Sequence, residues 1–258
     1  MFVACSSLCF SKLPLEAALR RMAEMEFSKV DLAIHERSDQ LRPSMIAERF
    51  ESCLHQVRHG PSLTASGLNV DFGPFEDPLG PLFRKRFDAI CRFAKALTVA
   101  VITIPASAPG TPFDAEVERL TSLSALAMRE GLVLTIETDR STLTADPALT
   151  AALCQAVPGL ALTLDPSQYV VGGHSEKEVD ALYAFAQNVL LRDTGKDPET
   201  GFQVRIGQGQ IDYSRVVNLL ERSRYDRALT VAIYDSIEGP FDTEVEVRKL
   251  KLLLESLL

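Results

Sequence analysis

The sequence predicts a single (β/α)8 TIM barrel that spans residues 1–258. Short β-branched or apolar runs alternate along the chain with segments in which apolar residues recur at helical spacing. Eight such pairs follow one another, and the strand ends lie mostly about 25 to 36 residues apart, which is the length of one βαβ unit. Open doubly wound sheets usually stop at about five or six strands, so eight in strict alternation favour a closed barrel.

The predicted strands are short runs rich in Val, Ile, Leu and Thr. In chain order they are FVAC (2–5), KVDLAI (29–34), LTASGLNV (63–70), VAVITI (99–104), LVLTIE (132–137), LALTLD (160–165), NVLLRD (188–193) and ALTVAIYD (228–235). Right-handed crossovers between such strands place them side by side in one parallel sheet.

The segments between the strands are predicted to be helices. The clearest apolar periodicity runs through Leu15, Leu19, Met22 and Met25; Phe83, Phe87, Ile90, Ala94 and Leu97; Val216, Val217 and Leu220; and Val247, Leu250, Leu254 and Leu257. The run SMIAERFESCLHQVRHG (44–60) is also predicted to be helical. Gly131 and Gly159 are predicted to end helices before strands, and Asp212 and Ser175 to cap the helices that follow them.

The composition excludes several classes of protein. The chain has 27 Lys and Arg against 35 Asp and Glu, a net charge of −8, and we therefore expect neither nucleic acid nor an anionic membrane surface as a partner. We expect no membrane span and no signal peptide, because no long apolar run is present. The five cysteines form no CxxC pair, and we expect them to be reduced residues in the core of a cytoplasmic protein. Four histidines are too few for a site with several metal ions.

The side chains at the carboxyl ends of barrel strands surround the active site in this fold. Glu137 ends strand 5 and Asp165 ends strand 6, and two neighbouring carboxylates suit either a divalent cation or an acid/base pair. Arg192, at the end of strand 7, can instead pair with either carboxylate. The loop DTGKDPETGFQVRIGQGQID (193–212) is the longest at this mouth and is predicted to form a wall or lid.

Several other polar residues lie at the same end of the predicted barrel. His35 follows strand 2 and is a candidate substrate-binding residue, with a metal-ligand role as the less favoured interpretation. Asp139 and Tyr234 are further substrate-binding candidates, although Asp71 and Asp139 equally suit helix caps or loop anchors. His174 is a second alternative ligand.

Four segments resemble one known family. IET (136–138), LTLDPSQYVVGG (162–173), VLLRDT (189–194) and VRIGQGQID (204–212) are similar to the xylose-isomerase-like TIM barrels. This superfamily includes sugar phosphate isomerases and epimerases, inosose dehydratases and the AP endonuclease family 2 enzymes such as endonuclease IV. The resemblance covers nearly the whole chain.

The resemblance implies a metal site that is incomplete in this sequence. Sugar-isomerising members of the family bind a divalent metal through a Glu, an Asp, a His and a Glu on strands 5 to 8. Glu137 and Asp165 match the first two, whereas Leu190 stands at the His position and Ala232 at the second Glu. Gln168 replaces a substrate-contacting His, and the usual Gly-Glu-Gly-Glu run is Gly207-Gln208-Gly209-Gln210. We hypothesise that Arg192 pairs with one of the carboxylates and replaces the charge of the metal.

These residues lead to competing expectations about function. The first is a sugar phosphate isomerase/epimerase-like protein that acts on a small sugar or polyol, with Glu137 and Arg192 as catalytic residues and Gln168 orienting the substrate. The cofactor is then none, or a weakly bound Mn, Mg or Zn ion on Glu137 and Asp165. The alternative is a non-catalytic sugar-binding or structural member, and an endonuclease IV-like repair enzyme is the least favoured. The sequence leaves open whether the protein is an enzyme; a homodimer is one expected assembly.

Overall fold

A computed structural model of the protein describes residues 1–74, 77, 79–195, 197, 202–235 and 241–258. Eight parallel strands follow one another in chain order around a closed barrel, and the last strand pairs with the first. The (β/α)8 TIM barrel predicted from the sequence is therefore confirmed. The strands are β1 (Phe2–Ser6), β2 (Lys29–His35), β3 (Thr64–Asp71), β4 (Val101–Pro105), β5 (Val133–Glu137), β6 (Ala161–Leu164), β7 (Ala186–Leu191) and β8 (Ala228–Val231).

Helices surround the barrel in the described part of the chain. They are α1 (Leu15–Glu24), α2 (Pro43–Glu48), α3 (Phe50–Arg58), α4 (Pro81–Ala96), α5 (Phe113–Arg129), α6 (Pro147–Ala156), α7 (Pro166–Val171), α8 (Glu176–Val179), α9 (Tyr213–Arg222) and α10 (Thr243–Glu255). Each predicted apolar stripe lies along one of these helices or just past its end, and most of its residues are buried. None of the described helices combines the length and the apolarity needed to cross a lipid bilayer.

The prediction that 44–60 is helical holds for α2 and α3, and the chain bends between them at Arg49. Arg49 leaves the helical region of backbone conformation (φ −133°, ψ 46°) between α2 and α3. The bend places Phe50 against α4, where its ring meets the edge of Phe93 at a centroid distance of 5.8 Å. Tertiary packing therefore overrides a helical pattern that is continuous in the sequence.

The predicted helix boundaries are otherwise confirmed. Gly131 and Gly159 follow α5 and α6 with φ of 76° and 75°, a conformation that favours glycine. The Asp212 carboxylate accepts a hydrogen bond from Arg215 N and so caps α9, at 2.9 Å. Ser175 and Glu178 form a capping box at the start of α8. All five cysteines are buried and unpaired, as predicted.

Three strands end earlier than the sequence predicts, and the residues just beyond them form the mouth of the barrel. The predicted runs extended to 165, 193 and 235, whereas β6, β7 and β8 end at Leu164, Leu191 and Val231. Asp165 leaves the sheet because its carboxylate caps α7 through the Ser167 amide, at 3.0 Å. The residues that follow β7 and β8 likewise lie outside the strands.

The barrel interior contains a polar layer. Thr103, Thr135 and Thr163 join their hydroxyls across three adjacent strands, with O–O distances of 2.8 to 3.0 Å. Asp31, on β2, is also fully buried in the barrel interior. Neither of its carboxyl oxygens has a hydrogen-bond partner among the described residues. A Cβ atom at Gly67 would lie 2.4 Å from Asp31 Oδ1, so glycine makes room for this carboxyl group.

We expect Asp31→Asn to stabilise the fold at alkaline pH. Burial raises the pKa of Asp31 to about 7, so folding favours the protonated form. The stability from this group is fully present below an unfolded pKa of about 3.9 and is lost as the pH rises through about 7. The variant should therefore exceed the parent in unfolding free energy by on the order of 1 kcal/mol or more at about pH 8, and by less at about pH 5.

Urea unfolding at the two pH values measures this difference. Asp39→Asn is the matched control, because Asp39 is an exposed aspartate outside the barrel interior. The same pH-dependent gain in the control, or a constant difference for Asp31→Asn, would contradict the explanation.

Candidate active site at the mouth of the barrel

A buried ion pair lies at the centre of the barrel mouth. Arg192 follows β7, Asp165 follows β6, and both side chains have no exposed surface. The guanidinium Nη2 of Arg192 donates to Asp165 Oδ2 and, at 3.2 Å, to the hydroxyl of Tyr234. The sequence-based hypothesis that Arg192 pairs with one of the two strand-end carboxylates is therefore confirmed for Asp165.

Two aromatic rings enclose the guanidinium of Arg192. Its central carbon lies 4.2 Å from the centroid of the Tyr234 ring and 4.8 Å from that of Phe202. A second cation, Arg140, lies 5.0 Å from the Phe202 centroid. Cation–π attraction is strongest where water is excluded, so this enclosure stabilises the buried charge. The Nε and Nη1 atoms of Arg192 have no hydrogen-bond partner among the described residues.

Each partner of the ion pair counteracts the effect of burial on the pKa of the other. Burial raises the pKa of Asp165, and the Arg192 guanidinium acts in the opposite direction. Burial lowers the pKa of Arg192, but the Asp165 carboxylate together with Tyr234 and Glu137 acts in the opposite direction, and the pKa is raised on balance. Asp165 also accepts hydrogen bonds from the Ser167 amide and hydroxyl, at 3.0 and 2.5 Å. An arginine stays charged in proteins, and this neighbouring cation favours the ionised form of Asp165.

These residues do not fit the divalent metal that the sequence resemblance implies. Leu190 and Ala232, at two of the four family ligand positions, are buried and offer no donor atom. A third position, Asp165, is paired with a cation. No cluster of three or more His, Cys, Asp or Glu residues suited to a metal ion occurs among the residues that the structure describes.

A polar cavity of about 200 Å³ opens beside the ion pair. Its polar lining residues come from the ends of four strands: His35, Asn69, Asp71, Glu137, Asp139 and Tyr234. Four of the predicted site residues, namely Glu137, His35, Asp139 and Tyr234, are therefore brought together around one space. Arg192 and Asp165 do not line this cavity, and the Tyr234 ring lies against the Arg192 guanidinium.

Glu137 is the terminal member of a hydrogen-bonded chain that crosses the cavity wall. Asn69 Nδ2 donates to Glu137 Oε2 at 2.6 Å, and His35 Nε2 lies 3.0 Å from Asn69 Oδ1, to which it donates in this arrangement. Burial raises the pKa of Glu137 to about 8; the Asn69 hydrogen bond lowers it, and the charges of Asp165 and Asp139 raise it. A carboxyl group with a pKa near neutrality suits proton transfer.

The other predicted site residues have different positions. Gln168 is buried and does not line the cavity, because its Oε1 accepts a hydrogen bond from Arg140 N at 3.3 Å. Asp139 lines the cavity and also accepts hydrogen bonds from the Ser141 amide and hydroxyl, so it anchors its loop as well. Asp71 likewise accepts one from Gly73 N. His174 packs edge-on against Tyr169, outside this cavity.

The described part of the loop after β7 forms a wall over Arg192. The Asp193 carboxylate accepts hydrogen bonds from Gly207 N and Gly209 N, at 2.8 and 3.0 Å. A Cβ atom at Gly209 would lie 2.0 Å from Asp193 Oδ1, so only glycine allows this approach. Gln203 then binds both backbone groups of Tyr234, accepting from its N–H at 2.8 Å and donating to its carbonyl at 3.1 Å.

The sequence profile of the xylose isomerase-like TIM barrels matches residues 19–253. The chain belongs to this family. No curated protein matches the sequence significantly.

Solved structures of this kind share the whole fold at low sequence identity. A probable 3-DHS dehydratase, AsbF, from Bacillus anthracis superposes with a TM-score of 0.75, 12% identity and 99% of each chain covered. The IolI protein with a bound zinc atom gives 0.75 at 14% identity, covering 100% of this chain and 96% of the other. A D-allulose 3-epimerase from Methylomonas sp. gives 0.73 at 15% identity, covering 100% and 98%. Identities this low show the fold alone.

Sequence reasoning missed two residues of this site. Asn69 lies near the end of β3, and its bridge between His35 and Glu137 depends on the register of three strands. Phe202 lies in the long loop, and nothing in the local sequence places its ring on Arg192.

We expect Arg192→Met to destabilise the fold by about 3–5 kcal/mol, because it leaves the Asp165 carboxylate buried without its cation. The double variant Arg192→Met/Asp165→Asn should recover a large part of this loss, since it removes the unpaired charge. Urea unfolding of the parent, both single variants and the double variant gives the coupling energy. Strict additivity of the two single effects would contradict a coupled pair.

We expect the parent protein to bind no Mn²⁺ at concentrations below about 1 mM, because its ligand set is incomplete and Arg192 holds Asp165. The triple variant Leu190→His/Ala232→Glu/Arg192→Leu should bind Mn²⁺ in the micromolar range. Electron paramagnetic resonance of free Mn²⁺ measures both. Tight binding by the parent that Asp165→Asn abolishes would overturn this interpretation.

Proposed function

We propose that the protein is a metal-independent isomerase of a small, neutral sugar or polyol-derived carbonyl compound, with Glu137 as its base. The observation that carries this proposal is the position of Glu137. Its carboxyl group lies in a polar cavity with a pKa of about 8, its Oε2 is held by Asn69, and its Oε1 has no partner among the described residues.

Tyr234 supplies the electrophile in this proposal. Its hydroxyl accepts a hydrogen bond from Arg192 and therefore keeps its own proton for donation to a substrate oxygen in the cavity. Burial raises the pKa of Tyr234, so the phenol stays neutral and remains a donor. The Arg192 cation behind the phenol stabilises the negative charge that develops on the substrate oxygen.

The proposed reaction is a proton shift next to a carbonyl group. The Glu137 carboxylate removes the proton from the carbon beside the carbonyl, and the electron pair of that C–H bond forms a C=C bond. The carbonyl π electrons move onto the oxygen, which accepts the hydrogen bond from Tyr234. Glu137 then delivers a proton, which can exchange with solvent, to the former carbonyl carbon, and the electron pair of the C=C bond forms the new C–H bond. The hydroxyl group on the deprotonated carbon gives its proton to the former carbonyl oxygen and becomes the new C=O group, so the carbonyl group changes place.

One base favours isomerisation over epimerisation. Epimerisation returns a proton to the opposite face of the same carbon, which usually needs a second acid on that side. The family position for a second glutamate is Ala232 here. A shift between adjacent carbons on one face needs only Glu137.

The charges around the cavity favour a neutral substrate over a sugar phosphate. Glu137, Asp71 and Asp139 place three carboxyl groups on its wall. The nearest buried cation, Arg192, is covered by Tyr234 and Phe202 and does not reach the cavity surface. A phosphate dianion in this space would face like charges, whereas hydroxyl groups can donate hydrogen bonds to carboxylates.

We expect kcat/KM to rise with pH through about 8 and then level off, because the ionised form of Glu137 is the base. Incorporation of solvent deuterium into a panel of aldoses and ketoses, followed by NMR, detects the proton transfer. Glu137→Gln should lower the rate by about 100-fold or more, and Tyr234→Phe should lower kcat more than it raises KM.

His174→Gln is the matched control, because His174 lies outside the cavity and should leave the rate unchanged. Full activity of Glu137→Gln would exclude the proposed mechanism. If a sugar binds but no member of the panel exchanges deuterium, the result would instead support the non-catalytic alternative. The loss of the family metal ligands also favours that alternative.

A further inference from the structure

A second cavity adjoins the polar one at the barrel mouth. It has a volume of about 160 Å³ and lies between the loops that follow β3 and β4. Asp71 and Pro105 line both cavities, so a single bound molecule can extend from one into the other.

The lining of this second cavity is largely apolar. Phe72, Phe83, Ile104 and Ala106 contribute to it, and each has 6% or less of its surface exposed. The rings of Phe72 and Phe83 lie 4.7 Å apart and are tilted by 48°. Aromatic walls in this arrangement favour contact with another ring or with a short alkyl chain.

The positive charge of Arg119, at the rim of this cavity, is already paired with a carboxylate. Arg119 lines the cavity, but its Nε and Nη2 donate to both carboxylate oxygens of Glu116, each at 2.7 Å. The same carboxylate accepts hydrogen bonds from the Ser107 amide and hydroxyl, at 3.0 and 2.6 Å. Arg119 is therefore committed to a buried partner, and the Asp71 carboxylate on the shared wall repels anions. A neutral, apolar group fits this space better than a phosphate or carboxylate does.

The size of the cavity matches a particular kind of group. An apolar cavity of about 150 Å³ accepts a benzene molecule. The second cavity, at about 160 Å³, is large enough for one phenyl ring or a chain of a few carbon atoms.

We infer that the substrate is a sugar or polyol that carries a neutral aryl or short alkyl substituent, and that the Phe72–Phe83 cavity binds this substituent. The inference rests on the proposed function for the polar half of the ligand. The apolar half has its own evidence, so the two can be tested separately.

The test uses 4-fluorophenyl β-D-glucopyranoside and its two halves, methyl β-D-glucopyranoside and 4-fluorophenol. Fluorine NMR titration measures the affinity of the two fluorinated probes, isothermal titration calorimetry measures that of methyl β-D-glucopyranoside, and crystal soaks locate each probe. We expect 4-fluorophenol alone to bind between Phe72 and Phe83. We also expect the conjugate to bind at least about tenfold more tightly than either half, since it buries the ring and keeps the polar contacts of the sugar.

Ala106→Leu fills the second cavity without touching the polar one, so it should abolish binding of 4-fluorophenol and leave the affinity for methyl glucoside unchanged. Ala108→Leu is the matched control, because it adds the same volume to an exposed position of the same loop. It should change neither affinity. If Ala106→Leu does not fold, the affinities and bound positions of the three probes on the parent protein still decide the test.

The outcomes separate the two proposals. Failure of 4-fluorophenol to bind the parent, or its unchanged binding to Ala106→Leu, overturns the inference whatever the sugar does. Binding of 4-fluorophenol in the second cavity without binding of any sugar in the polar one supports the apolar subsite and counts against the proposed function.

Discussion

The Arg192–Asp165 ion pair determines the arrangement of the barrel mouth. Two full charges with no exposed surface are costly to bury, and the structure offsets this cost with contacts from several elements. Ser167 donates to the carboxylate, Tyr234 accepts from the guanidinium, and two aromatic rings exclude water from it. Removing the cation would affect the start of α7, the segment after β8 and the loop after β7 together.

The same pair distinguishes the mouth of this barrel from the four-ligand metal site that the family resemblance implies. A divalent ion accepts several ligands and polarises a substrate oxygen directly. Arg192 carries one charge on a planar group and reaches the cavity only through the phenol of Tyr234. In the proposed mechanism the electrophile is therefore a neutral hydrogen-bond donor, the Tyr234 phenol. Glu137 ends β5 beside the cavity, where burial raises the pKa of its carboxyl group although the Arg192 cation acts in the opposite direction.

The fold and the ion pair could be predicted because both depend on regular spacing. Alternating strand and helix patterns determine the barrel, and the end of each strand determines which side chains surround the mouth; Glu137, Asp165 and Arg192 followed from that rule. Residues in irregular backbone did not follow. The bend at Arg49 depends on packing against Phe93, Gln168 turns towards the Arg140 amide, and Phe202 reaches Arg192 from a long loop. Such contacts depend on three-dimensional neighbours that periodicity does not encode.

The contact between Gln203 and the backbone of Tyr234 has a consequence for how this barrel can diversify. A side-chain amide carries one donor and one acceptor, as a peptide group does, and here it satisfies both backbone groups of Tyr234 beyond the end of β8. The chain after β8 is thus held in place without belonging to the sheet ladder. Side chains there can be exchanged in evolution with little change to the hydrogen bonds of the barrel. The residues of the site can therefore change while the fold is kept.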